Sequence, residues 1–376
     1  MERPDTIITD KNDLQLLMDQ AHKVDAVAMD TEFVWERTYY PQLGLIQIAL
    51  SDEQCYIIDP LAIKDLTPLG ELLSNRSVIK IFHDAPQDLA ILEQATGAVP
   101  QNIFDTRLAA GFCNLPATLS LCKLIKELLD ITILKDETRT NWLKRPLTEN
   151  QIRYALDDVR YLRATRVVLL NRIIGPKIRS WLQEELNNLN NPANYNGTST
   201  TDRYRKLRGS NNLNAQELAI AKNLTIWREG VARKNNRPRG FIVKDTLLVE
   251  IARSKPTSVQ ELAEKTSISA RAVKQFGEVV TAIVDTTLAQ DNSTYPQPKR
   301  AIRLSKSDKE SLERLNNLID LKCQLLGIAP SLLGNSNELK RLIKTLRGKK
   351  SFEFKQLKQT AGWRKNFLED FFRQNQ

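Results

Sequence analysis

The sequence predicts an α/β domain built on a mixed sheet, followed by two smaller all-helical domains. Three observations predict it. Short apolar runs rich in β-formers alternate with helical patterns from the start to about residue 185. Beyond that point apolar side chains recur every three or four residues, the period of a helix with one buried face. Two polar stretches, 187–200 and 289–300, interrupt this pattern. The resulting division is 1–190 for the α/β domain, 202–289 for the first helical domain and 300–376 for the second.

The elements follow in order. AVAMDTEF, residues 26–33, is a short apolar run in which Thr31 and Phe33 favour extended backbone, so it reads as a buried strand leaving the core. LGLIQIAL and CYIID follow closely, as in a three-stranded meander, and then VIKIFH and NIFDT each lead into a helical pattern. NNLNNPANYNGTST carries Pro192 and Gly197, no charge and almost no apolar side chains, and reads as a linker. NAQELAIAKNLTIWREGVARK, DTLLVEIARSK, SVQELAEK and SARAVKQFGEVVTAIV predict one small bundle. After AQDNSTYPQPKR a second bundle is predicted from DKESLERLNNLIDLKCQLLG, ELKRLIKTLRG and WRKNFLEDFFRQ. No fixed-period repeat of the solenoid kind is present.

With 376 residues, 41% hydrophobic and 27% charged, the chain has the composition of a folded protein of two or three domains and not of a disordered one. No apolar stretch is long enough to span a bilayer and the first twenty residues carry acids throughout, so no membrane partner and a cytoplasmic location are expected. Cys55, Cys113, Cys122 and Cys323 lack C-x-x-C spacing, which argues against a disulfide framework or a zinc site. Charge is divided unevenly. Residues 1–200 hold 21 Lys and Arg against 27 Asp and Glu, whereas residues 201–376 hold 34 against 18. An acidic half suits cations and a basic half suits a polyanion, with nucleic acid the leading partner.

The chemistry starts at AVAMDTEF. Side chains of a strand alternate faces, so Asp30 and Glu32 point the same way and repel one another unless a proton or a cation intervenes. A hard divalent metal with oxygen ligands satisfies such a pair; solvated strand-end acids are the alternative. In VIKIFHDAPQDLAILEQATG, Asp88 falls on the first helical turn and Asp84 in the turn before it. Either could face the strand-end pair or merely cap the helix, and local sequence does not choose. In RPLTENQIRYALDDVRYLRATRVVLL, Thr148 is the expected cap, and Ile152, Ala155, Leu156, Val159 and Leu162 form an apolar face. Tyr154 and Asp158 lie one turn apart on the same helical side. The alternative is a tyrosine at the core's edge beside a solvated aspartate.

Asp-x-Glu at a strand end, an Asp at a later helix start and Tyr-x-x-x-Asp on a last helix together resemble the DEDD exonucleases of the ribonuclease H-like fold, in the subclass whose third motif carries tyrosine. The resemblance is closer still to the ribonuclease D family, whose three exonuclease motifs are similar to residues 31–49, 82–89 and 139–162 and whose paired C-terminal HRDC domains correspond to the two helical domains. Asn141, Asp84 and Thr138 depart from residues common in that family, without removing a motif acid. The resemblance implies that Asp30, Glu32, Asp88 and Asp158 hold two Mg²⁺ or Mn²⁺ ions, with Asp30 bridging. Two ions about 4 Å apart activate water, neutralise the scissile phosphate and stabilise the departing 3′ oxygen. Tyr154 would orient that water; a phenol with a pKa near 10 is a poor base at neutral pH. Neither His22, in the first helix, nor His83 stands at the third-motif position that the histidine subclass requires.

The implied reaction is 3′-to-5′ hydrolysis of RNA to nucleoside 5′-monophosphates, with tRNA precursors bearing 3′ extensions as substrate and a monomer favoured as the acting form. Phe33 would wedge against the terminal base, with a core aromatic at the strand end as the alternative, and Arg139 would contact substrate. RYRKLR at 203–208, RKNNRPRG at 233–240 and LRGKK at 346–350 would hold phosphates in a salt-dependent manner. A DNA-directed exonuclease and a noncatalytic RNA-binding protein on the same scaffold are the competing readings.

Overall fold

The computed structural model describes residues 6–134, 137, 140–196, 201–298, 302–347 and 356–374. They form two compact units: one from the described residues of Met1–Val34, Leu43–Asn196 and Ile302–Gln376, the other from those of Trp35–Gln42 and Gly197–Ala301.

In the first unit the elements run β1 (Ile7–Ile8), α1 (Lys11–Ala21), β2 (Ala26–Val34), β3 (Gln42–Ala49), β4 (Cys55–Ile58), α2 (Thr67–Ser74), β5 (Ile79–Phe82), α3 (Pro86–Thr96), β6 (Ile103–Asp105), α4 (Thr106–Gly111), α5 (Leu121–Leu129), α6 (Glu149–Arg160), α7 (Leu162–Arg172) and α8 (Pro176–Asn188). The sheet order is β1-β4-β3-β2-β5-β6. The β3–β4 pairing is antiparallel, while β1–β4, β2–β5 and β5–β6 are parallel, so the sheet is mixed, as expected. The two-residue β1 was not anticipated, because two residues show no alternation. His22 caps the C-terminus of α1 instead of lying within it.

The period of two in β2 decides the layers. Val27 and Met29 join Ile46, Ile48 and Ile58 and the apolar sides of α1, α2 and α3 on one face. Ala26 and Ala28 lie with Leu45, Ala49, Cys55 and Ile57 on the other, beneath Ala155, Leu156 and Val159 of α6. Alanines on that face leave room for a helix close to the sheet. Asp30 and Glu32 continue the same alternation, so they emerge on the α6 side. Tyr195, within the stretch read as a linker, is buried against the other face, and the unit ends only after Asn196.

The second unit contains α9 (Ala215–Lys234), α10 (Arg239–Ile242), α11 (Asp245–Ser254), α12 (Val259–Lys265) and α13 (Ala270–Leu288) around Leu218, Leu224, Ile251, Leu262, Val280 and Val284. Asn214 and Glu217 close a capping box on α9, and Ser258 and Ser269 cap α12 and α13, as polar residues before an apolar run do. Residues 35–42, between β2 and β3, belong to this unit. The Tyr39 hydroxyl donates to Glu229 at 2.6 Å and accepts from Arg233 Nε at 2.8 Å, while the Arg239 guanidinium lies 4.5 Å over its ring. Burial opposes ionisation of Glu229, but hydrogen bonds from Arg239 and Tyr39 outweigh it and hold the carboxyl below its ordinary range. Arg203 also pairs with Glu229. Part of the basic character of 203–208 and 233–240 is therefore committed inside the unit.

Residues 302–374 contribute α14 (Lys306–Leu326), α15 (Ser336–Arg347), α16 (Gly362–Phe367) and α17 (Glu369–Gln374), and their buried side chains share one core with α4, α6 and α8. WRKNFLEDFFRQ, part of the predicted second bundle, forms two helices that part at Leu368. Trp363 stacks on Trp181 with ring centroids 4.9 Å apart, and its indole N–H donates to Glu185 at 2.7 Å. The Ala329 amide donates to the Gly111 carbonyl at 2.7 Å, where a Cβ on Gly111 would meet Leu332 at 2.9 Å. Trp363→Ala should cost about 3–5 kcal/mol by leaving a cavity between α8 and α16, seen as a lower urea midpoint. An unchanged midpoint would rule out Trp363 as a shared core residue.

No helix among the described residues is long and apolar enough to cross a membrane. Cys55 and Cys323 are buried, Cys113 and Cys122 half-buried, and none forms a disulfide.

Candidate active site

The sheet domain brings the predicted acids to the end of β2 from both sides. Asp30 and Glu32 leave the core on the face under α6, and α6 carries Tyr154 and Asp158. Its start is set by a complete capping box between Thr148 and Gln151. One carboxylate oxygen from each of Asp30, Glu32 and Asp158 lies within 4.8 Å of the others. Asp88 arrives on the first turn of α3, from the opposite face, and its carboxylate accepts from the Thr31 hydroxyl at 2.5 Å. It stands outside the tight group of three but lines a cleft of about 410 Å³ with Asp30, Thr31, Phe33, Pro86 and Gln87. A second cleft of about 410 Å³ shares Asp30, His83 and Asp84 with the first and is lined also by Arg107, Tyr154 and Asp158.

The position of α6 is fixed from below. Trp142, whose ring lies 5.9 Å from that of Tyr154, crosses β3 at Gly44, where any Cβ would meet Trp142 atoms at 2.8 Å. Arg145 binds both oxygens of Asp59, at 2.6 and 2.9 Å, and the Gly44 carbonyl at 2.8 Å. The described part of the RTNWLKR segment thus anchors the helix to the sheet. Thr138 and Arg139 lie outside the described residues; Asn141 accepts the Leu143 amide at 3.1 Å and holds a turn.

Electrostatics makes this a site that wants cations. Burial, then the charges of Asp88, Asp158 and Glu32, pushes the Asp30 carboxyl well above its ordinary range. Burial and the charges of Asp158 and Asp88 push Glu32 up to about 9. Burial pushes Asp88 up to about 7, against the opposing hydrogen bond from Thr31. Burial also raises the Tyr154 phenol, as do the nearby charges of Asp158 and Glu32, and its hydroxyl donates to Asp158. A group of oxygen donors with neither cysteine nor histidine in it, Asp158 buried and Asp30 and Glu32 half-buried, fits a hard divalent cation, which replaces the protons such acids otherwise retain.

Asp84 and His83 have other partners. Neither Asp84 nor Asp88 caps α3; the N-cap is Ala85 and makes no side-chain bond. Asp84 holds φ at 66° and pairs with Arg107. That conformation is one which Asp tolerates better than most residues, at a cost of order 1 kcal/mol. The ring nitrogens of His83 bond Thr106 Oγ1 at 3.0 Å and the Leu119 carbonyl at 3.1 Å, so it is a turn residue that anchors the loop beside the cleft. Phe33 lines the cleft and is half-buried.

Sequence reasoning missed three residues here. Thr31 carries no sequence signal beyond its strand propensity. Asp105 accepts the backbone N–H groups of Asp84, Ala85, Arg107 and Leu108 at 2.8–3.3 Å, tying the turn before α3 to the start of α4. An Asp directly after NIF and before a helical run was the available signal, since such residues cap helices. Arg107 carried no signal beyond its charge.

Comparison with known proteins agrees with this geometry. A family model described as 3′-5′ exonuclease matches residues 6–174, and the HRDC domain matches residues 217–284. Ribonuclease D of Desulfotalea psychrophila is 56% identical over 98% of this chain and 98% of its own length. Ribonuclease D of Escherichia coli is 30% identical, covering 90% of this chain and 89% of its own. The crystal structure of Escherichia coli RNase D, described as an exoribonuclease involved in structured RNA processing, superposes with a TM-score of 0.85 at 28% identity, over 100% of this chain and 98% of that one. With both exonuclease and HRDC regions matched and a near-full-length relative above half identity, this chain belongs to the ribonuclease D family and is a 3′-to-5′ exoribonuclease.

Proposed function

We propose that this enzyme trims structured RNA, tRNA precursors with 3′ extensions foremost, with Asp30, Glu32, Asp88 and Asp158 holding two divalent ions and Tyr154 orienting the attacking water. The observation that carries the reading is the convergence of acids from β2, α3 and α6 at one strand end, with the tyrosine hydroxyl bonded to one of them. Divalent ions bound there supply water activation and charge neutralisation at the scissile phosphate. The chain's own residues do the rest. Thr31 holds the Asp88 carboxylate through its hydroxyl, and α6 keeps Asp158 and Tyr154 in step.

In the metal-free site Tyr154 keeps its proton, because burial and the adjoining carboxylates disfavour phenolate. It therefore serves by donating to Asp158 and accepting a hydrogen bond from water, and not as the base. A monomer is the proposed acting form.

The RNA preference draws on the relatives and on the basic second half of the sequence. Purified full-length protein given tRNA with a short 3′ extension should release nucleoside 5′-monophosphates, stop in EDTA and resume with Mg²⁺ or Mn²⁺. Faster digestion of single-stranded DNA under matched conditions would overturn the substrate reading, and EDTA-resistant hydrolysis would overturn the ion requirement.

A further inference from the structure

The hydrolytic machinery leaves the cationic side chain of the cleft without a task. Among the described residues that line the two adjoining cavities, Arg107 is the one arginine or lysine, and it shares its cavity with Asp30, Tyr154 and Asp158. Its guanidinium is aimed by two partners. Nε donates to the Ala117 carbonyl at 2.6 Å and Nη1 pairs with Asp84, while Nη2 has no hydrogen-bond partner among the described residues. The side chain remains 31% exposed.

The pair is built, not incidental. Asp84 sits in the left-handed backbone region, and its amide is held there by Asp105 Oδ1 at 3.1 Å. The same oxygen accepts the Arg107 amide at 2.8 Å. One buried carboxylate thus sets the backbone of both members of the pair. Their side chains meet beside the acidic group, where every described charged residue lining the two cavities except Arg107 is an acid that repels an incoming RNA phosphate. A planar guanidinium with unoccupied donors matches two phosphate oxygens, and Asp84 occupies a donor that such an oxygen would take.

We propose that Arg107 binds the internucleotide phosphate on the 5′ side of the scissile one, and that Asp84 competes for the same guanidinium and so weakens RNA retention. Only that side carries a neighbouring phosphate, because the leaving nucleotide ends in a 3′ hydroxyl. The proposal rests on the site assignment above. It makes Arg107 a substrate-positioning residue and Asp84 its internal competitor.

The test uses full-length protein and a 3′-extended RNA, natural or with a neutral methylphosphonate at the linkage 5′ to the scissile bond. Arg107→Ala should raise KM at least about tenfold, with a smaller effect on kcat, the size expected for one charged phosphate contact. Arg107→Gln, which keeps a donor for the Ala117 carbonyl, should show the same loss. Asp84→Asn, tolerant of the left-handed backbone, should lower KM about threefold, and the double variant should behave as Arg107→Ala, because the two residues act through one contact. The methylphosphonate should weaken wild type and leave Arg107→Ala little changed.

Discrimination by Arg107→Ala equal to wild type would overturn the phosphate contact, and a raised KM in Asp84→Asn would overturn the competition. If wild type hydrolyses no RNA, the site assignment fails on its own. The affinity of the same RNA in EDTA, by fluorescence anisotropy, still decides the proposal, since equal binding by wild type and Arg107→Ala overturns it.

Discussion

Asp158→Ala is expected to lower kcat by at least about a thousandfold while leaving RNA affinity within a few fold, as for removal of a group acting mainly in the transition state. The variant loses one of three carboxylates whose oxygens lie within 4.8 Å of one another, and with it the acceptor of the Tyr154 hydroxyl. It also removes a charge that opposes ionisation of Asp30 and Glu32. The metal-free variant should therefore melt no lower than wild type, which separates lost chemistry from lost fold. Tyr154→Phe should be milder, slowing kcat by about ten- to a hundredfold, since in the proposed role the phenol orients water without taking its proton. Full turnover by purified Asp158→Ala would end the assignment of this site.

The second large effect is a dependence of metal-free stability on pH. The ordinary values of Glu32 and Asp88 are 4.5 and 3.8, and the fold raises them to about 9 and about 7. An acid with a raised folded pKa keeps a proton that the unfolded chain has already released. Stability must then fall as pH rises from about 4, through about 7 for Asp88, until about 9 for Glu32. Divalent cations favour the ionised carboxylates, so Mn²⁺ or Mg²⁺ should restore stability most at the alkaline end, with proton release on binding. Urea unfolding at pH 5, 7 and 9, with EDTA and with Mn²⁺, reads both effects. A metal-free midpoint that is flat across this range, or that rises, would contradict the burial and crowding that raise these acids.

How much of the site was legible depended on how far apart in sequence its parts lie. Asp30 and Glu32 on one face follow from a period of two, and Tyr154 with Asp158 from a separation of four residues behind a recognisable cap; both require only neighbours. The choice between Asp84 and Asp88 did not follow. It turns on Thr31, 57 residues from Asp88, and on Arg107, 23 residues from Asp84, and nothing within the HDAPQD stretch records either partner. The basic runs were legible as charge, but the commitment of Arg203, Arg233 and Arg239 to Glu229 and Tyr39 was not.

The division into an acidic and a basic half was likewise a property of the chain, whereas compactness follows contacts. Residues 302–374 bury Trp363 against Trp181 and so join the unit that holds the acids, and residues 35–42 join the helices of the other. A truncation after residue 200 would therefore strip apolar cover from α8 as well as basic residues. The sequence by itself determined the periodicities, the caps and the chemical types at the strand end and helix faces, because these depend on residues a turn or a pleat apart. Only tertiary structure decided which acids meet, which arginine stands beside them and which helices share a core, because those outcomes depend on burial and pairing between segments distant along the chain.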